Sequence, residues 1–388
     1  MSIFEQIQER RNWSEEERIV LDQVQRLADD QIAPRAEHFD RSGEFPWDNV
    51  HALNEIGMNT IFVPEACGGA LMSYRTYLEC VSIISGACAS TGIIYATTFH
   101  GMKPLIDTGT EDQKKRLLPR IADGGLAALA ITEPTAGSDA TGMKTRFTPD
   151  GEDIIVDGGK IFISSGDVAD LMLLFGKWSE IADAKQAISV LVLEKGAKGF
   201  NVMRREEKMG HRASSTVALS FEGMRVPRAN LLGVPGDGLR ILLASLNKSR
   251  PSIAAHARGI ARAAFGDMVQ YMNEREQSCH KIIDFQANQF MIADLASDLA
   301  MLETWIDYVA GLVDGGAQNF GLEASIAKTR ASDLAMKMAT EAVQMHGGYG
   351  YCCDFRVERL MRDAKITQIW EGTNQVHRQL IGRSFRAK

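Results

Sequence analysis

The texture of this chain changes twice, from helical periodicity to short β-rich runs and back to long helices. That order excludes the doubly wound sheet and the β/α barrel, since both need strands and helices in alternation. The sequence instead predicts an α+β, mainly α, fold: an N-terminal helical domain over 1–125, a small β-domain over 126–234 and a C-terminal helical bundle over 235–388. With 388 residues, of which 45% are hydrophobic and 24% charged, the chain is long enough for a sizeable core and carries no compositional bias towards disorder.

Local signals fill in this outline. Ser14-Glu15-Glu16-Glu17 is a capping box, followed by Leu21, Val24, Ala28 and Ile32 at helical spacing and closed by Pro34. Further helices are expected near 47–58, 72–83, 87–107 and 111–122. The β-rich runs are Leu126–Thr132, Ile154–Val156, Lys160–Ser164, Leu171–Phe175, Ala187–Leu193 and Val217–Phe221, with Asp157-Gly158-Gly159 read as a hairpin turn. Long helices follow at 238–274, where Pro251 is expected to kink or interrupt, and at 284–314, 320–346 and 355–383, with Gly315-Gly316 and Gly347-Gly348 as stops.

Several classes of function are excluded or disfavoured. A net charge of −7 without a basic tract gives nucleic acid no footprint. The six cysteines form no C-x-x-C pair, so neither a metal centre nor a disulfide framework is expected, and reduced thiols in the cytoplasm are the reading. No signal or transit peptide is legible at the N-terminus. The charge-free stretch from Cys80 to Phe99 has the length of a membrane span, but its serines, threonines and glycines suit a helix buried in a bundle, lining a cavity. Gly347-Gly348-Tyr349-Gly350 follows a helix instead of a strand, so it lacks the mechanics of a dinucleotide-binding turn.

The chemistry-bearing segment is Ile366-Thr-Gln-Ile-Trp370-Glu371-Gly372-Thr373-Asn-Gln375, which sets one carboxylate beside an aromatic and a Gly-Thr turn. Burial there would favour the neutral form and make Glu371 a candidate base for a carbon-bound proton; in isolation such a glutamate is more often solvated. In the β-region, Ile131-Thr132-Glu-Pro-Thr-Ala-Gly137-Ser138-Asp139 and Lys160-Ile-Phe162-Ile-Ser164 offer close backbone approach, an aromatic face and hydroxyls.

Taken in order with Arg250-Pro251, Gln344 ahead of Gly347-Gly348, Arg362-Asp363-Ala-Lys365 and Trp370-Glu371-Gly-Thr373, these motifs resemble the acyl-CoA dehydrogenase family across essentially the whole chain. The resemblance implies two helical domains flanking a β-domain, a homotetramer built as a dimer of dimers, non-covalent FAD and an acyl-CoA thioester over the flavin. It implies Glu371 as the base for the α-proton, hydride transfer from Cβ to flavin N5, and an electron-transfer flavoprotein as acceptor. FAD contacts carried over by resemblance are Leu129, Ile131, Thr132, Gly137, Ser138, Phe162, Ser164, Arg275, Gln286, Thr373 and Gln375, with Gln344, Gly347 and Gly348 reaching a neighbouring subunit's cofactor. Asn247 and Arg250 would follow the CoA chain, with Ser138 near its arm. A family variant carries its base where this chain has Ser249, and serine cannot serve, which points to Glu371.

One motif departs: Arg275-Glu-Gln-Ser278-Cys279 stands where the family usually has Arg-x-x-Phe-Gly, so an aromatic that packs on FAD is missing. For the acyl pocket, Thr91, Ile94, Tyr95 and Thr98 are expected on the wall, with Trp370 and Gly372 at the reacting end. Tyr95 and Trp370 would shorten or flatten the cavity towards a short or cyclic acyl group, such as cyclohexane or cyclohexene carboxyl-CoA. No arginine on this stretch would hold a second carboxylate. Competing readings are a relative using oxygen or a carrier-protein thioester, and a flavin-free scaffold.

Overall fold

The computed structural model describes residues 3–386 and arranges them as a helical layer, a sheet and a second set of long helices. The N-terminal helices are α1 (Ile3–Glu9), α2 (Glu15–Leu27), α3 (Ala33–Ser42), α4 (Trp47–Glu55), α5 (Tyr74–Ala87), α6 (Ala89–Thr108), α7 (Glu111–Leu117) and α8 (Pro119–Ala122). The capping box forms as read: Ser14 Oγ accepts from the Glu17 N–H at 3.1 Å and the Glu17 carboxylate accepts from the Ser14 N–H at 2.9 Å. One expectation fails nearby. Pro34 does not close α2; a π-helical turn over Ala28–Ile32 carries the chain into α3, where Pro34 sits in the first turn. The charge-free Cys80–Phe99 stretch spans the two helices expected near 72–83 and 87–107, with extended backbone at Cys88 (φ −151°, ψ 109°) separating α5 from α6. Both are largely buried, and no described helix is long and apolar enough to cross a membrane.

The strands are β1 (Ala127–Ala130), β2 (Arg146–Asp150), β3 (Asp153–Ser164), β4 (Leu171–Trp178), β5 (Ile188–Glu194), β6 (Phe200–Arg205) and β7 (Thr216–Pro227). They form one sheet in the order β1-β4-β2-β3-β7-β6, with β5 antiparallel to β4. Side chains alternate between faces with the pleat. Leu171, Leu173 and Phe175 join the core shared with the helices, whereas Met172 and Leu174 join a separate core with Phe147, Trp178 and Phe221. The expected hairpin at Asp157-Gly158-Gly159 is absent. β3 runs straight through it, and Gly158 (φ 144°) is a bulge where a Cβ would lie 2.7 Å from the Cα of Thr145, the residue before β2.

The C-terminal elements are α9 (Gly238–Glu274), a hairpin of β8 (Glu276–Gln277) and β9 (His280–Lys281), then α10 (Gln286–Asp314), α11 (Gly321–His346), α12 (Val357–Thr367) and α13 (Asn374–Arg383). α9 is continuous through Pro251 instead of being interrupted. The helix expected over 355–383 is in fact α12 and α13, split by Gln368–Thr373. Gly372 (φ 92°) and the Thr373 cap, whose hydroxyl accepts from the Val376 N–H, end one helix and start the next. Glu371 therefore projects from a short loop against α6, α9 and α11.

Candidate active site

Glu371 is held in a left-handed backbone conformation (φ 53°) that non-glycine residues adopt at a cost, and the surroundings over-determine it. Lys328 of α11 donates to the Gly372 carbonyl at 2.7 Å and to Asn374 Oδ1 at 2.9 Å. His377 Nε2 lies 3.1 Å from the Glu371 carbonyl; since a carbonyl only accepts, Nε2 carries the proton. The Glu371 N–H enters no hydrogen bond among the described residues.

The carboxylate is largely shielded, its side chain 17% exposed. Ser249 of α9 donates its hydroxyl to Oε2 at 2.6 Å. On the other side, His100 of α6 places Nδ1 3.9 Å from Oε1, a contact of charge and dipole longer than a hydrogen bond. Burial lowers the His100 pKa, partly offset by Glu371, so the imidazole is neutral at pH 7. Burial also pushes Lys328 down to about 7, with Glu371 acting the other way, and pushes His377 down to about 4, helped by Arg250 and Lys328. Arg250 donates to Asn247 Oδ1 at 3.0 Å, and burial lowers its pKa without making it neutral. Among the described residues, His100 Nε2, Arg250 Nε and His377 Nδ1, on three residues that interact with Glu371, are buried without a partner, as are Ser245 Oγ of α9 and Thr329 Oγ1 of α11.

Trp370, beside Glu371 in the chain, packs against two histidines. Its ring packs edge-on against His211 at 5.1 Å and tilts against His256 at 5.7 Å. Those two imidazoles share one proton between Nε2 atoms 2.9 Å apart, and Ser85 Oγ lies 2.7 Å from His256 Nδ1. Asp363 accepts from the His211 N–H at 2.5 Å, and burial pushes its pKa up to about 6.

The residues expected on the acyl wall are turned to other partners. Thr91 accepts from Asn49 at 3.0 Å, Ile94 packs with Val50 and Leu126, Tyr95 donates to the Met58 carbonyl at 3.2 Å, and Thr98 donates to the Ile94 carbonyl at 3.1 Å. His100, one turn further along α6, is the residue that reaches Glu371. It is an imidazole among apolar and small neighbours, a signal legible in the sequence. Serine cannot act as a base at position 249, and its role as a donor to Glu371 emerges only in the folded chain.

The expected cofactor-side residues divide into two groups. Leu129 in β1 and Ile131 and Thr132 just beyond it are half-buried, and the Ile161 N–H donates to the Thr132 carbonyl at 2.9 Å, stitching that segment to β3. Phe162 is 60% exposed at φ 61°, pushed outwards where the β3–β7 register slips between Lys160 and Ile163, with Ser164 beside it. Buried Lys160 donates to the Ile131 carbonyl and to Glu133, both at 2.8 Å, bracing the same corner. Ser165 Oγ is buried without a partner, and a Cβ on Gly137 would meet nothing within 4 Å. Such an open apolar shelf with backbone and hydroxyl groups fits a flat ring and a polar tail. Arg275, Gln286, Gln344, Gly347 and Gly348 lie exposed on the C-terminal helices and the hairpin, as does Gln375. No cluster of metal-ligating side chains occurs among the described residues, and all six cysteines are free.

Comparison with known proteins identifies this architecture. The acyl-CoA dehydrogenase N-terminal, middle and C-terminal domain families match residues 14–125, 128–224 and 236–385. A short-chain-specific acyl-CoA dehydrogenase of Clostridium acetobutylicum is 38% identical over 379 residues, covering 97% of this chain and 99% of that protein. A cyclohex-1-ene-1-carbonyl-CoA dehydrogenase of Geobacter metallireducens is 38% identical over 374 residues, covering 96% and 98%. A chain solved in work on the electron transferring flavoprotein of Acidaminococcus fermentans and flavin-based electron bifurcation superposes with a TM-score of 0.94 at 37% identity, covering 97% of this chain and 100% of that one.

Proposed function

Because the chain belongs to the acyl-CoA dehydrogenase family of oxidoreductases, we propose that Glu371 is the base that removes the α-proton of an acyl-CoA thioester, giving the 2-enoyl-CoA. The observation that carries this reading is the shielded carboxylate fixed by Ser249 at 2.6 Å in a strained loop that three helices brace. A weakly acidic carbon-bound proton requires a base that is positioned and largely stripped of water. As the α-proton leaves, charge grows on the thioester oxygen, and the uncommitted Glu371 N–H is a donor available to it.

FAD would be held by Leu129, Ile131, Thr132, Gly137, Ser138, Phe162, Ser164 and Thr373, and would supply the two-electron acceptor for the β-hydrogen. Exposed Arg275, Gln286, Gln344, Gly347, Gly348 and Gln375 would complete a cofactor site across a subunit boundary. That arrangement suits a homotetramer, as do the exposed Phe290, Met301 and Tyr308 of α10. Asn247 and Arg250 would follow the CoA arm. An electron-transfer flavoprotein in the cytoplasm is the electron acceptor in this reading.

A short or alicyclic acyl group is the substrate class supported by the two named relatives. Anaerobic titration of the flavin-loaded protein with straight, branched and cyclic acyl-CoAs tests it. Rapid bleaching by short or cyclic members, with slow reoxidation by air, is expected; bleaching only by long straight chains, or by none, rejects it.

A further inference from the structure

His100 is 3% exposed and sits against the proposed base, yet only one side of its ring has a neighbour of opposite charge. Nδ1 faces Glu371 Oε1 at 3.9 Å, so the field of the carboxylate favours the tautomer with its proton on Nδ1. That leaves Nε2 as a lone-pair acceptor, and this buried atom makes no hydrogen bond within the described chain. An orphaned buried acceptor destabilises the fold, and natural sites retain it when a ligand removes the cost. On α9, one turn before Ser249 and on the same face, Ser245 Oγ is likewise buried and unpartnered.

If Glu371 takes the α-proton, the α-carbon must come within hydrogen-bond reach of its carboxylate oxygens, about 3 Å. His100 touches that same carboxylate, so acyl atoms two or three bonds beyond the α-carbon fall within reach of its ring. We infer that His100 is a specificity-determining residue that accepts a hydrogen bond from a hydroxyl carried by the acyl group close to the reacting carbons. The inference rests on Glu371 being the base. It narrows the substrate from short acyl-CoAs in general to hydroxylated ones. A carboxylate there would meet both the lone pair of Nε2 and the charge of Glu371. A ketone would bring an acceptor to an acceptor. The neutral state that burial gives the imidazole agrees with this choice.

The test compares 4-hydroxypentanoyl-CoA, 4-oxopentanoyl-CoA and pentanoyl-CoA, which share a carbon chain and differ only at C4. Both kcat/KM for anaerobic flavin reduction and equilibrium binding by calorimetry are read. The wild type is expected to prefer the hydroxy compound by about tenfold or more over the other two, since a site built around a hydroxyl discriminates against analogues lacking it. His100→Leu should lose that preference, its ratio of hydroxy compound to pentanoyl-CoA falling towards one, while His100→Gln, which keeps an acceptor, should retain part of it. Equal handling of the three compounds by the wild type overturns the inference, as does an unchanged preference in His100→Leu. Should no compound bleach the flavin, the base assignment fails separately, and the binding preference still decides the role of His100.

Discussion

Two buried polar regions lie along α9, and they are built on opposite principles. Towards its C-terminal half, Arg258 and Arg262 join Arg11, Glu79, Glu303 and Asp307 in an ion network linking α1 and its flanking turn to α5, α9 and α10. Each oxygen of Glu79 and Glu303 takes at least one guanidinium N–H, at 2.5–3.2 Å. Burial alone would raise the Glu79 pKa, but the three guanidiniums hold it well below the usual carboxylate range. Towards the N-terminal half, Ser249 and Arg250 interact with Glu371, and here buried atoms, the Ser245 hydroxyl among them, remain unpartnered among the described residues. The first region satisfies its charges and fixes the packing. The second keeps unmet hydrogen-bonding capacity, which is what a site for an outside molecule requires.

Arg258→Leu should show the contrast most strongly. It takes one guanidinium from two buried carboxylates, which keep Arg11 and Arg262, and is expected to cost about 1.5–3 kcal/mol of stability, read from the urea midpoint, whereas Glu371→Gln should lie within about 1 kcal/mol of wild type or above it, as expected when a strained active-site group is relieved. Equal losses would erase the distinction between the regions. Ser249→Ala should do the reverse of Arg258→Leu: little change in stability, but roughly 10- to 100-fold slower flavin reduction, because a hydrogen bond to a charged group is worth about 1.5–3 kcal/mol.

The His211–His256 pair lies between the two regions and predicts a pH response. Burial lowers His256 to about 3, with the charge of His100 adding to it, and lowers His211 well below its ordinary value, with His256 and Lys208 adding. A histidine with a depressed folded pKa contributes its full stability above about 6.5 and loses it as pH falls towards the folded value, at up to about 1.4 kcal/mol per pH unit. Asp363, raised to about 6, opposes this below that pH, since the folded state takes up its proton first. His256→Gln keeps hydrogen-bonding atoms for Ser85 and His211 while removing one titration. Its stability between pH 6.5 and 5 should therefore decline less steeply than that of wild type; parallel curves would contradict the assignment.

The smallest effect expected is at the hairpin after α9. Ser278 and Cys279 hold φ values of 54° and 64° where the family usually has Phe-Gly. Ser278→Phe should tighten FAD by about 1 kcal/mol, the low end for a buried aromatic contact, because phenylalanine adopts a positive φ at some cost. Unchanged flavin retention on dilution would refute the missing contact.

What was legible in the sequence, and what was not, follows from the range of the interactions involved. The Ser14 capping box is written within four residues, and the order of helical and β texture is written in periodicity, so both could be read. Asp157-Gly158-Gly159 misled because glycine serves equally for a turn and for close strand approach, and only the Thr145 backbone beneath it distinguishes the two. Helical periodicity around Glu371 masked a loop that Gly372 and the Thr373 cap announce. The Glu371 segment stood out through its local motif. Its partners could not, because His100, Ser249 and Lys328 come from three other helices and meet it only in the folded chain.

The central claim is that Glu371 removes a proton from carbon, and anaerobic single-turnover flavin reduction by Glu371→Gln tests it most directly. The account predicts that this variant binds FAD and the acyl-CoA yet bleaches the flavin more than about 1000-fold more slowly than wild type. Reduction at the wild-type rate would place the base elsewhere.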